Sequence, residues 1–195
     1  MPLYLASQSP RRRELLRQIG VPFELLSTSV DESPKAGEEA AHLVQRLAVL
    51  KAVSGLKQIT TNDPDAIVLG ADTVVCIDDE ILGKPADAED ARIMLRRLSG
   101  RTHQVLSAVS LSDGCNQQTE LSVSEVSFRH ITDDEILRYS ESGEADGKAG
   151  AYAIQGLAAV FVTRLEGSYS GVVGLPLEKL FPLLQSFKVP YWQSK

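Results

Sequence analysis

The sequence predicts an α/β fold: one mixed β-sheet with helices on its flanks. Three observations lead there. Apolar, strand-like runs alternate with segments of helical periodicity. The run from Ala66 to Ile77 is apolar almost without interruption, as expected of a strand covered on both faces. Val105 to Leu111 and Leu121 to Phe128 flank a turn near Asp113-Gly114, so these two strands pair antiparallel and the sheet is not purely parallel.

The elements follow in order. Leu3 to Ala6 reads as a short buried strand that enters Ser7-Gln8-Ser9-Pro10. A helix follows to about Ile19. Ser9 suits its N-cap, Pro10 its first position, Leu15, Leu16 and Ile19 its apolar face, and Gly20 its end. Phe23 to Ser27 is a second strand. Gly37 to Gly55 reads as a longer amphipathic helix, with Leu43, Leu47 and Leu50 on one side. A short strand leads into the tight turn Leu82-Gly83-Lys84-Pro85, and Asp87 to Leu98 is the next helix, closed by Ser99-Gly100. Thr132 to Ser142 is a helix whose Thr132 and Glu135 form a capping-box pattern. Ala159 to Leu165 reads as a late strand and Gly174 to Phe187 as a final helix. No repeat, low-complexity tract or Gly-, Ser- or Pro-rich linker divides the chain, so residues 1–195 read as one domain.

Composition narrows the function. With 43% apolar and 24% charged residues the chain is an ordinary globular protein, not a disordered one. A net charge of -6 gives no bulk field for nucleic acid, so an anionic ligand must find a local positive pocket among the 20 basic residues. Cys76 and Cys115 are isolated and form no disulfide framework, which suits a reducing compartment. The apolar stretch at the N-terminus is too short for a signal peptide, and no run of about 18 apolar residues appears. A cytoplasmic protein with no membrane partner is expected.

Four stretches carry chemistry. In Ser7-Gln8-Ser9-Pro10-Arg11-Arg12-Arg13, three arginines crowd a helix start, where each opposes the dipole at a cost of about 0.3 kcal/mol or more. An anion bound at that turn resolves the conflict, because free N–H groups and guanidinium forks both suit phosphate oxygens. A solvated basic helix end is the competing reading. Asp72, in Gly70-Ala71-Asp72-Thr73, is the only acid in its apolar strand. A buried carboxylate needs a cation, a metal or good donors, and could bind a divalent ion or take a proton from water. The alternative is an aspartate exposed at a strand end. Lys51 closes the apolar run Leu47 to Leu50, and Lys84 sits on its rigid turn; each is either a point charge for a phosphate or merely solvated. Lys148-Ala149-Gly150-Ala151-Tyr152-Ala153-Ile154-Gln155-Gly156 is rich in small residues and can lie flat beside a ligand. Its Gln155 amide offers the donor and acceptor that a base edge requires, unless the stretch is simply a packed loop.

Other chemistries lack support. His42, His103 and His130 have no metal-ligand spacing, and no Walker-type loop or dinucleotide fingerprint appears. Ser168-Tyr169-Ser170 lacks the nucleophile-elbow pattern.

Taken together, the stretches resemble the Maf family of nucleoside triphosphate pyrophosphatases over essentially the whole length. The resemblance rests on Ala6 to Arg12, Asp31-Glu32, Lys51-Ala52, Gly70-Ala71-Asp72-Thr73, Gly83-Lys84-Pro85, Leu98-Ser99-Gly100 with Thr102-His103, Lys148 to Tyr152, Ile154-Gln155-Gly156 and Val173-Gly174-Leu175-Pro176, in the family's order and spacing. It implies a fold like that of the inosine triphosphate pyrophosphatases, with two lobes around a cleft, and a homodimer. It further implies a divalent cation (magnesium, manganese or cobalt) and attack of water at the α-phosphorus of a nucleoside triphosphate. Asp72 matches the catalytic acid. Glu32 and Asp72 match the metal side, and Ser7, Ser9, Arg12, Lys51, Lys84 and Lys148 the phosphate side. Arg11, Thr73 and Gln155 match the branch acting on dTTP and UTP, whereas the branch resembling 7-methyl-GTP pyrophosphatases carries tryptophan, glutamine and glutamate there. The chain departs from the family at Leu50, Gly147 and Gly171, where glutamate, aspartate and asparagine are common. Two rival readings stand beside this one: a pyrophosphatase for 7-methyl-GTP or other modified nucleotides, and a non-enzymatic nucleotide-binding regulator of septum formation.

Overall fold

The computed structural model describes residues 2–59, 63 and 65–193. Seven strands form one mixed sheet: β1 (Leu3–Leu5), β2 (Glu24–Leu25), β3 (Ile67–Ile77), β4 (Glu80–Leu82), β5 (Thr102–Ser112), β6 (Gln117–Phe128) and β7 (Val162–Glu166). The path is β2-β1-β3-β5-β6-β7, with β4 also on β3. β1 runs parallel to β2 and β3, and the remaining pairs are antiparallel. The helices are α1 (Pro10–Gln18), α2 (Ala40–Ile59), α3 (Ala88–Leu98), α4 (Asp133–Glu141), α5 (Tyr169–Val173) and α6 (Leu177–Ser186).

The pairing of β3 creates the functional geometry. Along one edge, β5 covers it from Val68 to Cys76 without a break. Along the other, β1 covers only Ile67 to Leu69 and β4 only Val75 to Ile77. Between them, Gly70 to Val74 has no strand on that edge among the described residues, and the sheet is notched there.

Side chains of β3 alternate between two apolar layers, as the period of two requires. Ile67, Leu69, Ala71, Val75 and Ile77 enter the main core with Leu16, Leu95 and Leu180. Val74 and Cys76 face α2 with Leu43, Leu47 and Ala48. The nearly continuous apolar run is therefore a strand covered on both faces.

Several boundaries differ from the sequence reading, each for a local reason. The long helix starts at Ala40, because Gly37 has φ of 70° and cannot be helical. It continues past Gly55 to Ile59. Gly55 packs flat on β3, where a Cβ would meet Val68 at 2.8 Å, so it is a contact residue and not a terminator. The strand expected over Phe23 to Ser27 narrows to two residues. The expected strand from Ala159 begins only at Val162, because Leu157–Phe161 coil into a 3-10 turn. The final helix starts at Leu177, since Gly174 has φ of 130° and Pro176 takes the N-cap position; α5 lies before it. The capping box of Thr132 and Glu135 is present as expected. Among the described residues, no helix is long and apolar enough to cross a membrane.

Candidate active site

The notch in β3 opens into a cleft of about 770 Å³. Ser7, Ser9, Arg11, Arg12, Glu32, Lys51, Asp72, Thr73, Lys84, Lys148 and Gln155 all line it. Arg13, the third arginine of its run, does not. Five cations and three carboxylates (Glu32, Asp72 and Asp146) face the cleft, within a chain whose net charge is -6. The charge balance inverts where a polyanion would bind.

Asp72 is not an exposed strand end. It lies in mid-strand, 8% exposed, and its Oδ1 accepts a hydrogen bond from Lys51 Nζ at 2.6 Å. Lys51 also contacts Glu32 Oε1 at 2.7 Å, and Lys84 reaches Glu32 Oε2 at 3.1 Å. A line of alternating charge thus runs from the buried floor to the exposed rim: Asp72, Lys51, Glu32, Lys84. Burial alone would raise the Glu32 carboxyl, but the hydrogen bond and charge of Lys51, followed by those of Lys84, hold it down at about 2.

Gly70 makes the first of these contacts possible. A Cβ there would stand 2.1 Å from the Ala48 carbonyl oxygen and 2.6 Å from the Ala52 amide nitrogen. The bare backbone of β3 lets α2 lie directly on the sheet, which brings Lys51 over Asp72. The space at Gly70 is filled by the protein's own helix.

Thr73, on the opposite face of β3, belongs to a second cluster. Its hydroxyl lies 2.8 Å from Ser107 Oγ, and Ser107 donates to the Gly171 carbonyl at 2.6 Å. Arg12 Nε donates to the Gly174 carbonyl at 2.8 Å and Nη1 to Ser7 Oγ at 3.0 Å. Arg11 Nε donates to the Val173 carbonyl at 3.3 Å. Burial pushes both guanidinium pKa values down; for Arg12 the charge of Asp72 is the main opposing influence. The carbonyls of Val173 and Gly174 thus aim two arginines into the cleft. Ser9 occupies the N-cap position of α1 but its side chain caps nothing, so the first turn of the helix is left for another acceptor. Instead the Ser9 amide donates to Ser7 Oγ at 3.2 Å.

The third wall is the segment from Asp146 to Gln155. Gly150 has φ of 67°, and a Cβ there would meet Val75 at 2.9 Å, so the loop lies against β3. The Gly150 amide donates to the Gly83 carbonyl at 3.0 Å, which ties this loop to the turn bearing Lys84. Burial, followed by the neighbouring charge of Arg11, lowers the pKa of Lys148. Tyr152 is anchored from behind by buried His103, whose Nε2 lies 2.8 Å from the phenol oxygen.

Sequence reasoning missed Ser107 and the carbonyls of residues 171, 173 and 174. A polar residue inside the apolar run Val105 to Leu111 was the available signal for Ser107. The carbonyls left none.

For a divalent cation, the donor set is two carboxylates, Asp72 and Glu32, converging on one ammonium group. Among the described residues no group of three His, Cys, Asp or Glu could hold a metal ion. Two carboxylates fit an ion of the magnesium type that takes its other ligands from phosphate and water; they do not make an all-protein cage.

A family model described as Maf-like protein matches residues 2–187. A dTTP/UTP pyrophosphatase of Aromatoleum aromaticum is 51% identical, over 96% of this chain and 96% of that protein. One of Saccharophagus degradans is 52% identical, over 98% and 91%. One of Xanthomonas oryzae pv. oryzae is 53% identical, over 95% and 98%.

Proposed function

The chain belongs to the Maf-like family, and on that premise we propose that it hydrolyses dTTP and UTP to the nucleoside monophosphate and pyrophosphate. The observation that carries the reading is Asp72: a buried carboxylate, hydrogen-bonded to Lys51, on the floor of a cation-lined cleft.

In this reading the triphosphate lies along Arg12, Lys51, Lys84 and Lys148, which offset its charge. Asp72 accepts a proton from water. The water oxygen bonds to the α-phosphorus as the bond to the bridging oxygen breaks, and pyrophosphate leaves with the electron pair. Lys51 orients Asp72, and Glu32 holds Lys51 and Lys84 at the rim. Asp72 and Glu32 are the residues that would hold a divalent ion, which when bound supplies Lewis-acid polarisation of the phosphate oxygens. The base lies at the end marked by Arg11, Thr73 and Gln155. Gln155 offers a neutral amide, which suits the imide edge of uracil or thymine, where a carboxylate would favour a cationic base such as 7-methylguanine. The cytoplasm is the compartment proposed, where the free thiols of Cys76 and Cys115 stay reduced.

A product panel tests the reading. The enzyme is incubated with dTTP, UTP, CTP, 7-methyl-GTP and modified pyrimidine triphosphates, with magnesium, manganese or cobalt. Equal amounts of monophosphate and pyrophosphate from dTTP and UTP are expected. Preference for 7-methyl-GTP, or saturable binding of UTP with no pyrophosphate at any metal, contradicts it; the latter outcome favours a nucleotide-binding regulator.

A further inference from the structure

Glu144 follows α4 and does not line the cleft. Its carboxylate nevertheless holds one end of the cleft wall. It accepts hydrogen bonds from the backbone amides of Leu157 at 3.0 Å and Ala158 at 3.3 Å. It also accepts the Tyr139 hydroxyl at 3.0 Å, and that hydroxyl oxygen accepts from the Ala153 amide at 3.3 Å. Carboxylate and phenol together grip the backbone on both sides of Ile154-Gln155-Gly156.

The turn between the two grips is tight. The Gly156 amide donates to the Ala153 carbonyl at 3.0 Å. A Cβ on Gly156 would stand 2.1 Å from Glu144 Oε2, so the glycine is the space into which the carboxylate fits. Gln155, exposed and facing the cleft, is the residue carried at the crest. The same clasp explains why Leu157–Phe161 coils instead of continuing β7: the carboxylate takes the first two amides of the turn, as an N-cap does. Burial, followed by the charge of Glu144, pushes the Tyr139 phenol well above its ordinary pKa, so it remains a donor.

We propose that Glu144 is a positioning residue for nucleobase recognition, which fixes the 153–158 turn so that the Gln155 amide meets the base edge at a set angle. Removing its charge relaxes the choice between uracil-type and cytosine-type bases and leaves the phosphate chemistry intact. Misaiming by a fraction of an ångström is enough, because a neutral amide discriminates only through well-aligned donor–acceptor pairs. The proposal rests on the reading of Gln155 given above.

The experiment compares Glu144→Gln, Tyr139→Phe, Gln155→Ala and the double variant Glu144→Gln/Gln155→Ala. It reads the ratio of kcat/KM for UTP over CTP, together with kcat for UTP. Glutamine leaves one acceptor oxygen, and its amino group faces a backbone N–H, so Glu144→Gln breaks the clasp. Tyr139→Phe keeps the ring against Phe161 and removes only the hydroxyl bridge, so it serves if the first variant fails to fold. Glu144→Gln is expected to lower the ratio about tenfold through KM, with kcat for UTP within about twofold of wild type. Tyr139→Phe is expected to shift it in the same direction. The double variant should match Gln155→Ala alone, because both act through one contact. A ratio that falls in Gln155→Ala but holds in both Glu144→Gln and Tyr139→Phe overturns the proposal, as does simple additivity in the double variant. A ratio unmoved by Gln155→Ala overturns the reading of Gln155 itself, and the proposal with it.

Discussion

Gly70 lies under Ala48 so closely that a single added methyl group would reach within 2.1 Å of the Ala48 carbonyl oxygen. The contact is backbone to backbone, so no side chain can swing aside. It sets the height of α2 above the sheet, and with it the 2.6 Å bond between Lys51 and Asp72.

The first prediction follows from that contact. Gly70→Ala should lift α2, destabilise the fold by about 1–3 kcal/mol as overpacking does, and lower turnover as Lys51 moves off Asp72. Urea unfolding and steady-state kinetics on one preparation check both effects. A variant with wild-type stability and turnover would show that α2 is not held by this contact.

The ion line predicts a pH signature. The Glu32 carboxyl titrates at about 2 in the folded protein against an ordinary 4.5. A carboxyl depressed by folding stabilises above its unfolded pKa and loses that contribution as pH falls through the folded value. Glu32→Gln should therefore be less stable than wild type at pH 7. The gap should narrow between pH 4.5 and about 2. Denaturant midpoints at pH 7 and pH 3 measure it, and a gap of constant size contradicts the role given to Lys51 and Lys84.

His103 predicts a second pH dependence. Burial lowers its pKa from 6.5 to about 4, so the folded protein keeps it neutral where the unfolded chain is protonated. The unfolded state binds more protons in that window, and stability is lost as pH falls from 6.5 to about 4. The loss is on the order of 3 kcal/mol at most. His103→Gln should flatten the profile over this window, at the cost of lower stability at pH 7. A wild-type slope retained in the variant assigns the acid sensitivity to other groups.

How far the sequence reaches can be seen in Asp72 and Thr73. The lone acid in an apolar strand and the arginine-laden helix start were legible because each is locally costly without a ligand, whereas Lys51 and Lys84 gained meaning only within the ordered set of stretches. The mixed sheet was legible from the run at Ala66 and the turn at Asp113-Gly114. What was hidden is that consecutive residues, pointing to opposite faces of β3, open onto the same cleft. That depends on where β1 stops and β4 starts, which is a matter of pairing partners and not of local pattern. The 3-10 turn after Gly156 was hidden for a similar reason. Ala159 to Leu165 has strand composition, and the distant Glu144 carboxylate, on the Leu157 and Ala158 amides, starts the coil that takes up its beginning.

The most direct test is the single-turnover conversion of UTP to UMP and pyrophosphate by Asp72→Asn, with UTP affinity measured alongside. Asparagine keeps the size of the side chain and cannot accept the proton. A rate at least about a hundredfold below wild type, with nucleotide binding retained, is expected. Turnover near the wild-type rate would contradict it.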